Sequence, residues 1–412
     1  MQVRVRKHKS DLAILFAVIA LMAIGAVIIY AIGPMRANVL NTAYGMNYSS
    51  DYFFTHHLFS VALSLAVFFV TFKLIPYEKI SKIAKWLLIA ALAASVALWL
   101  LSKVGSSIAV CELGACRWLK VAGVSFQPAE FLKISLIIYL ANFIGRKKEE
   151  GKIGGQDFWI PIAVIGALSL FFVVVLQSDL GTGLAIIAII LGMLLISGVP
   201  LKQYLAVIAL IVGGGLAVVL ATPYRLERVM TFMSGGTDES SYHVDNAMVA
   251  IGTGGLFGVG VGNSIQATGY LPESINDSVF AVMGETFGLI GLVAVLAIFA
   301  VILLRTLKVA EKTEDLERRL VSIGVFAWVA THVVVNVMAM TGLIPVTGVT
   351  LPLMSYGGTS MVFISFGLGL VMQLSCYTGR EVIKKDESIS SRRGLGRAHH
   401  SSRSRSTRNF ED

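Results

Sequence analysis

Long apolar stretches separated by short polar segments dominate this chain from residue 12 to residue 375. A helix needs about 20 apolar residues to cross the hydrocarbon core of a bilayer. Ten stretches are of spanning length, at residues 12–32, 56–75, 86–102, 126–145, 158–176, 181–199, 203–222, 279–304, 320–341 and 353–375. The pattern therefore predicts an all-α polytopic membrane protein with about ten transmembrane helices.

The composition favours a membrane protein over a soluble one. Of the 412 residues, 56% are hydrophobic and only 14% are charged, and the mean hydropathy is +0.77. Soluble domains carry about 25% charged residues, so this composition excludes an ordinary cytosolic enzyme and a disordered chain. Ten crossings would use nearly all of the apolar residues, which leaves no room for a large soluble domain.

The distribution of positive charge orients the predicted helices, because Lys and Arg concentrate on cytoplasmic segments. With the N-terminus inside, most of the 34 Lys and Arg residues fall on cytoplasmic segments. This predicts a cytoplasmic N-terminal segment at 1–11, a transmembrane domain at 12–375 and a cytoplasmic tail at 376–412. We expect the basic, Ser-rich tail to be disordered and to contact either anionic lipid headgroups or a cytoplasmic protein. The net charge of +9 then reflects topology and does not indicate nucleic-acid binding.

One long polar segment, at residues 223–278, lies outside the membrane between the seventh and eighth predicted helices. Segments of this length in a compact protein are usually functional. A glycine series runs from Gly252 to Gly262, and glycine permits tight turns and close backbone approach. The segment ends with acidic residues directly before the eighth helix.

Three acidic residues flank the start of the eighth predicted helix. Asp277 lies four residues after Glu273, and Glu285 lies eight residues after Asp277. If this helix begins near Pro272, the three side chains fall near one face, with Asp277 at the outer end and Glu285 about two turns inside. Charges at membrane depth are costly and tend to line functional cavities. The alternative is that Glu273 and Asp277 only complement the positive end of the helix dipole.

Two further charged residues lie within or beside apolar stretches. Lys133 stands three residues after Glu130, a spacing that allows an ion pair on one helix face. Lys133 could instead present a positive charge to a cavity that binds an anionic substrate. Asp179 directly precedes the sixth predicted helix, where a helix N-cap is its simplest role.

The three cysteines are too few for a disulfide framework and lack metal-cluster spacing. Cys111 and Cys116 lie close together in a predicted outer segment. They form either one small-loop disulfide or two unpaired thiols. Cys376, at the end of the last apolar stretch, is interpreted as structural.

Several blocks between residues 100 and 375 resemble, in the same order along the chain, the SEDS family (shape, elongation, division, sporulation). The blocks are RW at 117–118, FQPAEFLK at 126–133, QSDLGT at 177–182, LPESINDSVFA at 271–281, GE at 284–285 and PVTGVTLPLMSYGG at 345–358. The chain departs from the family at Ile275, Asn276 and Ser178, where histidine, threonine and proline are usual. Residues 224–228 and 262–266 are more similar to the division branch of the family than to the elongation branch.

This resemblance implies a peptidoglycan glycosyltransferase of the bacterial plasma membrane that acts at the division septum. Its substrate would be lipid II, a disaccharide-pentapeptide carried on a polyprenyl diphosphate. Its partners would be a class B penicillin-binding protein, which is a transpeptidase, and other division proteins. A polymerase of the elongation branch is one alternative, and a flippase that carries lipid II across the bilayer is another.

The resemblance also implies roles for individual residues. Asp277 takes the position of the catalytic aspartate, the base that removes a proton from the acceptor sugar's 4-hydroxyl as it attacks the donor's anomeric carbon with inversion. Lys133 and Arg117 are the first candidates to neutralise the departing diphosphate. The remaining candidates for substrate binding are Glu273, Glu285, Arg225, Arg228 and Trp118. A divalent cation, Mg²⁺ or Mn²⁺, could assist the leaving group, although the sequence shows no dedicated carboxylate cluster for one.

Overall fold

The computed structural model describes residues 10–112, 115–121, 124–223, 226–227, 230 and 239–377. In chain order its helices are α1 (Leu12–Tyr44), α2 (Tyr52–Lys73), α3 (Tyr77–Lys82), α4 (Ala84–Lys103), α5 (Pro128–Glu149), α6 (Gln156–Leu170, extended by the π-helical turn Phe171–Leu176), α7 (Leu180–Ser197), α8 (Leu201–Ala221), α9 (Glu239–Gly254), α10 (Val279–Lys312), α11 (Leu316–Met340) and α12 (Gly358–Ser375). Within these residues, the ten helices other than α3 and α9 are long and apolar enough to cross a membrane. The predicted all-α polytopic architecture with ten spans is confirmed.

The two ends of the transmembrane domain lie on the same face of the molecule. The backbone N–H of Asp11, just before α1, donates a hydrogen bond to Ser375 Oγ at the end of α12, at 3.0 Å. An even number of crossings between these residues requires this arrangement. Residues 1–9 and most of the predicted tail, 378–412, lie outside the described residues, and the cytoplasmic assignment of both termini stays a prediction.

Helices α1 and α10 extend well beyond their apolar stretches. At about 1.5 Å per residue, helices of 33 and 34 residues are about 50 Å long, whereas the hydrocarbon core is about 30 Å thick. The last turns of α1 therefore carry Arg36 beyond the predicted span. Helix α10 is interrupted at Gly288 (φ 68°), where a Cβ atom would clash with the backbone nitrogen of Gly258. Only glycine fits this close contact between two backbone segments.

The described residues between α8 and α10 include regular structure. It contains α9, which packs against α10, and a 3₁₀ turn at Gln266–Thr268. Four glycines between residues 255 and 262 adopt positive φ, as the glycine series predicts. Residues 239–278 therefore form a folded cap on the first part of α10.

A small antiparallel sheet precedes α5, and the hydropathy pattern did not predict it. Its strands are β1 (Ala109–Glu112), β2 (Ala115–Val121) and β3 (Val124–Phe126), in the order β1-β2-β3. Cys111 and Cys116 are paired across β1 and β2 and form a disulfide, so the first of the two cysteine alternatives is the correct one. A search for apolar stretches of spanning length does not detect strands of three to seven residues, because these strands are too short.

The spans with the largest buried fraction are α5, α7, α11 and α12, whereas α8 contributes no buried residue. Helix α2 packs against α12, and α11 packs against α5 and α7. Residues 341–357, the α11–α12 loop, are irregular but partly buried, with Leu351, Leu353 and Met354 at most 2% exposed. The last span consequently begins at Gly358 and not at the predicted residue 353.

Candidate active site

The acidic residues before α10 lie in a compact turn and not in a helix. Glu273 has φ 47°, and its carbonyl accepts hydrogen bonds from the N–H groups of Asn276 (2.9 Å) and Ser278 (3.3 Å). The eighth span begins at Val279, as the apolar pattern predicts, so the helix start near Pro272 that would put the three acids on one helical face is not present. Short polar side chains compete with helix formation by bonding to the nearby backbone, and Ser278 Oγ donates to the carbonyl of Pro272 at 2.8 Å.

Asp277 occupies the end of this turn, which we call the acidic turn (residues 271–278). The residue is 6% exposed, and its Oδ1 accepts no hydrogen bond from the described residues. Burial, followed by the negative charge of Glu273, raises the pKa of Asp277 to about 7, against opposing hydrogen bonds from the backbone N–H groups of Asp277 and Ser278. A carboxylate with an open acceptor and a pKa near neutrality is suited to general-base chemistry.

The acidic turn is fixed in place by neighbouring elements. Asn336 of α11 donates from Nδ2 to the carbonyls of Asp277 and Val349, both at 2.7 Å. The N–H of Tyr356 donates to the carbonyl of Ile275 at 2.8 Å. Thus α11 and the α11–α12 loop together hold the backbone that presents the Asp277 carboxyl group.

Sequence reasoning missed Asn336, although a signal was present. An amide side chain inside an otherwise apolar span is expensive unless it is hydrogen-bonded, and such residues tend to be functional. His243 of α9 was missed too, and its Nε2 lies 2.6 Å from Ser278 Oγ. Nothing in local spacing connects residue 243 or 336 with the acidic turn.

Glu273 lies at the solvent-exposed rim of the same turn. Its Oε1 is 3.3 Å from Arg36 Nη2, and its Oε2 accepts from Asn276 Nδ2 at 2.5 Å. The side chain is 44% exposed. Glu273 therefore connects the turn to the C-terminal part of α1 and adds negative charge beside Asp277.

Glu285 is buried, and its carboxylate is hydrogen-bonded to the protein itself. Its Oε2 accepts from Ser264 Oγ at 2.5 Å, and its Oε1 accepts from the N–H groups of Ile265 (2.9 Å) and Gln266 (3.3 Å). These are the free N–H groups at the start of the 3₁₀ turn Gln266–Thr268. The geometry does not support the predicted substrate-binding role of Glu285, because both carboxylate oxygens already have partners.

Lys133 is fully buried in a polar cluster between α5 and α11. Its Nζ lies 2.8 Å from Glu130 Oε1 and 2.9 Å from His332 Nε2, and 4.9 Å from the centroid of the Trp328 ring. The predicted ion pair with Glu130 is confirmed. His332 and Asn336 are one helical turn apart on α11, so the same helix supports this cluster and the acidic turn.

Arg117 and Trp118 lie on β2. Arg117 donates from Nε to the carbonyl of Gln177 (3.4 Å) and from Nη2 to the carbonyl of Ser178 (2.8 Å), in the short connection between α6 and α7. Asp179 accepts from the N–H of Thr182 at 2.9 Å, which confirms its predicted N-cap role. Trp118 is half-buried beside Arg117.

The α11–α12 loop brings the Arg117 region towards the acidic turn. A Cβ atom at Gly181 would clash with Val349 Cγ2, so only glycine allows this loop to approach α7 so closely. The Val349 carbonyl is also held by Asn336, which contacts Asp277. Arg225 and Arg228, the other predicted phosphate-binding residues, lie outside the described residues.

A protein-held metal site does not fit the residues around Asp277. No group of three or more His, Cys, Asp or Glu side chains is placed to hold a metal ion in the described part of the chain. Among the described residues, the other acid of the acidic turn is Glu273, which is engaged by Arg36 and Asn276, and the histidine that contacts the turn, His243, is bonded to Ser278. We therefore derive no catalytic step through a metal ion.

The comparisons with known proteins agree with this architecture. The sequence profile of the FtsW/RodA/SpoVE family, described as cell cycle proteins, matches residues 12–380. Stage V sporulation protein E of Bacillus subtilis is 29% identical over 377 residues, covering 90% of this chain and 99% of its own length. A probable peptidoglycan glycosyltransferase FtsW of Escherichia coli is 32% identical, covering 85% of this chain and 84% of its own length.

Solved structures show the same fold. A chain of a peptidoglycan synthase complex superposes with a TM-score of 0.68 at 24% identity, covering 89% of this chain and 97% of its own length. The rod shape determining protein RodA of Thermus thermophilus superposes with a TM-score of 0.62 at 24% identity, covering 90% and 98%. Because the family profile spans the whole transmembrane domain, the chain belongs to the FtsW/RodA/SpoVE family of cell cycle proteins.

Proposed function

We propose that this protein polymerises lipid II into glycan strands at the outer face of the bacterial plasma membrane, with Asp277 as the catalytic base. The chain is a multi-pass membrane protein, and its relatives named peptidoglycan glycosyltransferase make it a glycosyltransferase. The observation that carries the proposed mechanism is the buried Asp277 carboxyl group with its open Oδ1.

The chemistry requires one base and no covalent nucleophile. An α-linked donor that gives a β-linked glycan reacts with inversion, so the acceptor hydroxyl displaces the diphosphate directly. Asp277 accepts the hydroxyl proton as the oxygen attacks the anomeric carbon. A pKa of about 7 keeps a large fraction of Asp277 ionised at neutral pH while making it a better proton acceptor than an ordinary carboxylate.

The departing polyprenyl diphosphate needs positive charge. Arg117 is the first candidate, because it is partly exposed and the α11–α12 loop joins its region to the acidic turn. Arg225 and Arg228 remain further candidates, and we propose that Trp118 packs against sugar or lipid. Lys133 is completely buried, so we propose that it acts on the diphosphate only through long-range electrostatics. A divalent cation would have to be held mainly by the diphosphate itself.

A double substitution separates a structural role of Lys133 from an electrostatic one. Lys133→Met combined with Glu130→Gln removes the ion pair without leaving one charge unpaired in the interior. Retained polymerisation by purified, folded protein would assign Lys133 to structure alone. Loss of activity with an unchanged melting temperature would support a role in leaving-group stabilisation.

The proposed partner is a class B penicillin-binding protein, and the proposed location is the division septum. The structural neighbour is described as coordinating polymerization and crosslinking in one complex, which supports a transpeptidase partner. Several relatives carry the name FtsW, which favours the division branch. Other division proteins remain proposed partners, and the elongation branch is the alternative.

A flippase and a non-enzymatic scaffold are the rival functions. A flippase needs polar groups along a path that reaches both faces. The two acids of the acidic turn, Glu273 and Asp277, instead lie together at one end of α10, and Glu285 is bonded to the scaffold. This arrangement favours surface chemistry over transport.

Reconstitution with lipid II distinguishes the three functions. Purified protein, with and without the transpeptidase, is incubated with lipid II, and glycan length is measured. We expect polymer from the wild type and about 10²- to 10⁴-fold slower polymerisation from Asp277→Asn. Movement of lipid II between leaflets without polymer would support the flippase, and neither activity under any condition would support the scaffold.

A further inference from the structure

A cavity of about 390 Å³ lies at the face of the molecule opposite the acidic turn. It is formed where the start of α1 meets the ends of α10 and α12. Its polar lining consists of Ser10, Asp11, Arg305, Lys308, Lys312 and Ser375. Arg36, which contacts the acidic turn, lies 25 residues along α1 from Asp11, and at about 1.5 Å per residue this is nearly 40 Å. The cavity therefore belongs to the other membrane surface and is separate from the candidate active site.

The cavity carries an excess of positive charge. Arg305, Lys308 and Lys312 are spaced by three and four residues, which puts them on one face of the last turns of α10. Among the described residues, Asp11 is the single acid that lines the cavity, and its Oδ2 lies 3.5 Å from Arg305. Asp11 also caps α1 through a hydrogen bond from the Ala13 N–H. Two lysines therefore remain without an acid among the lining residues.

The cavity walls are held together before any ligand binds. The Asp11 N–H donates to Ser375 Oγ at 3.0 Å, and the Asp11 carboxylate pairs with Arg305, so three helix ends are joined through one residue. A preformed site avoids the entropic cost of ordering its walls on binding. The positive-inside rule and the negative end of the α10 dipole both favour basic residues here. The positive-inside rule and the helix dipole do not, however, require that these basic residues line one cavity.

Apolar side chains extend from the cavity along the membrane-facing surface. Leu12, which lines the cavity, is 52% exposed, Phe16 one turn further along α1 is 66% exposed, and Leu304 beside Arg305 is 65% exposed. In spanning helices such surfaces are covered by acyl chains. A ligand with a phosphate in the cavity and hydrocarbon along Leu12 and Phe16 would match both the basic cavity and the apolar surface. A soluble phosphate would contact only the basic cavity.

We propose that this cavity binds an anionic phospholipid, with Lys308 and Lys312 contacting the phosphate oxygens and the acyl chains lying along α1. Basic pockets between spanning helices are a recurrent way to bind anionic headgroups. The proposed site does not depend on the glycosyltransferase mechanism, because it lies at the other end of the membrane spans.

The test compares lipid retention by native mass spectrometry of the purified full-length protein. We expect the wild type to retain phosphatidylglycerol in preference to phosphatidylcholine, and Lys308→Gln/Lys312→Gln to lose this preference by about tenfold. Lys308→Arg/Lys312→Arg keeps the charge and should retain it, which shows that the site tolerates substitution. Lys79→Gln/Lys82→Gln is the matched control, because it removes the same charge from α3 without altering the cavity.

Three results would overturn the proposal. One is an equal loss of preference in the α3 control, which would indicate a diffuse surface potential. Another is equal retention of both lipids by the wild type. The third is displacement of bound phosphatidylglycerol by millimolar inorganic phosphate, which would indicate a soluble-anion site. Polymerisation is assayed in parallel to keep the lipid-site hypothesis distinct from the glycosyltransferase hypothesis. If Asp277→Asn failed to reduce polymerisation, the catalytic assignment would fail and the lipid-retention result would be unaffected.

Discussion

Asp277 and Glu285 are two buried carboxylates that lie eight residues apart, and the structure gives them opposite surroundings. Asp277 is 6% exposed and Glu285 is 1% exposed. Glu285 accepts hydrogen bonds at both oxygens from Ser264, Ile265 and Gln266. Asp277 keeps Oδ1 without a partner among the described residues, and its backbone, not its carboxyl group, is held by Asn336.

The contrast shows that burial of an acid does not by itself indicate catalysis. A carboxylate whose acceptors are all occupied stabilises the fold and has little capacity left for a substrate proton. A carboxylate held by its backbone, with an open oxygen, retains that capacity at the cost of a raised pKa. Substitutions and pH profiles can test this division of roles.

Asp277→Asn should reduce polymerisation by about 10²- to 10⁴-fold, because the amide cannot accept the hydroxyl proton. The melting temperature should be equal to or higher than that of the wild type, since Oδ1 forms no hydrogen bond that the substitution would remove and a neutral amide avoids the cost of burying a charge. Rates of lipid II polymerisation and thermal unfolding in detergent measure the two quantities. Asp51→Asn is the matched control, because Asp51 is an exposed aspartate just before α2 on the same face. Comparable losses in both variants would contradict the division of roles.

The polymerisation rate should depend on pH through the ionisation of Asp277. With its pKa raised to about 7, the carboxyl group is mostly protonated below this value and cannot act as a base. The rate should therefore fall by about tenfold for each pH unit below about 6 and level off above about 8. A rate that is constant from about pH 5 to about pH 8, with chemistry rate-limiting, would contradict the assignment.

Glu285→Gln should lower stability more than it lowers catalysis. The amide keeps one acceptor oxygen, so at least one buried donor among the Ser264 hydroxyl and the two N–H groups loses its partner. This costs about 1–3 kcal/mol. A melting temperature lowered by a few degrees, with polymerisation by the folded protein within a few-fold of wild type, is the expected outcome. Wild-type stability with polymerisation abolished would instead place Glu285 in the substrate site.

Glu273→Gln should produce the mildest change, a shift of the pH profile to lower pH. The negative charge of Glu273 contributes to the raised pKa of Asp277, and removing that charge lowers the pKa. The shift should be modest, because Glu273 is 44% exposed and solvent screens its charge. An unchanged melting temperature is expected, and a shift to higher pH would show that Glu273 acts in another way.

Local spacing in the sequence was sufficient for several features. The Lys133–Glu130 pair depends on three residues of separation on one helix, and the Asp179 cap depends on its place directly before α7. Both interactions are complete within one turn of backbone, so the order of residues determines them. The family motifs likewise identified Asp277 as the candidate base.

Features that depend on distant segments could not be predicted in this way. Asn336 reaches Asp277 across 59 residues, and Arg117 reaches Ser178 across 61. The contacts of the acidic turn with Tyr356 in the α11–α12 loop and with His243 of α9 are likewise between distant segments. No periodicity within residues 271–285 contains this information.

The number of membrane crossings follows from the sequence alone, because each crossing requires a long apolar stretch that no other structure can accommodate in lipid. The sequence also specifies which acidic residues stand near the start of α10. Which of these acids is free to react depends instead on tertiary contacts. The partners of a buried carboxylate come from segments that are adjacent in space and remote along the chain.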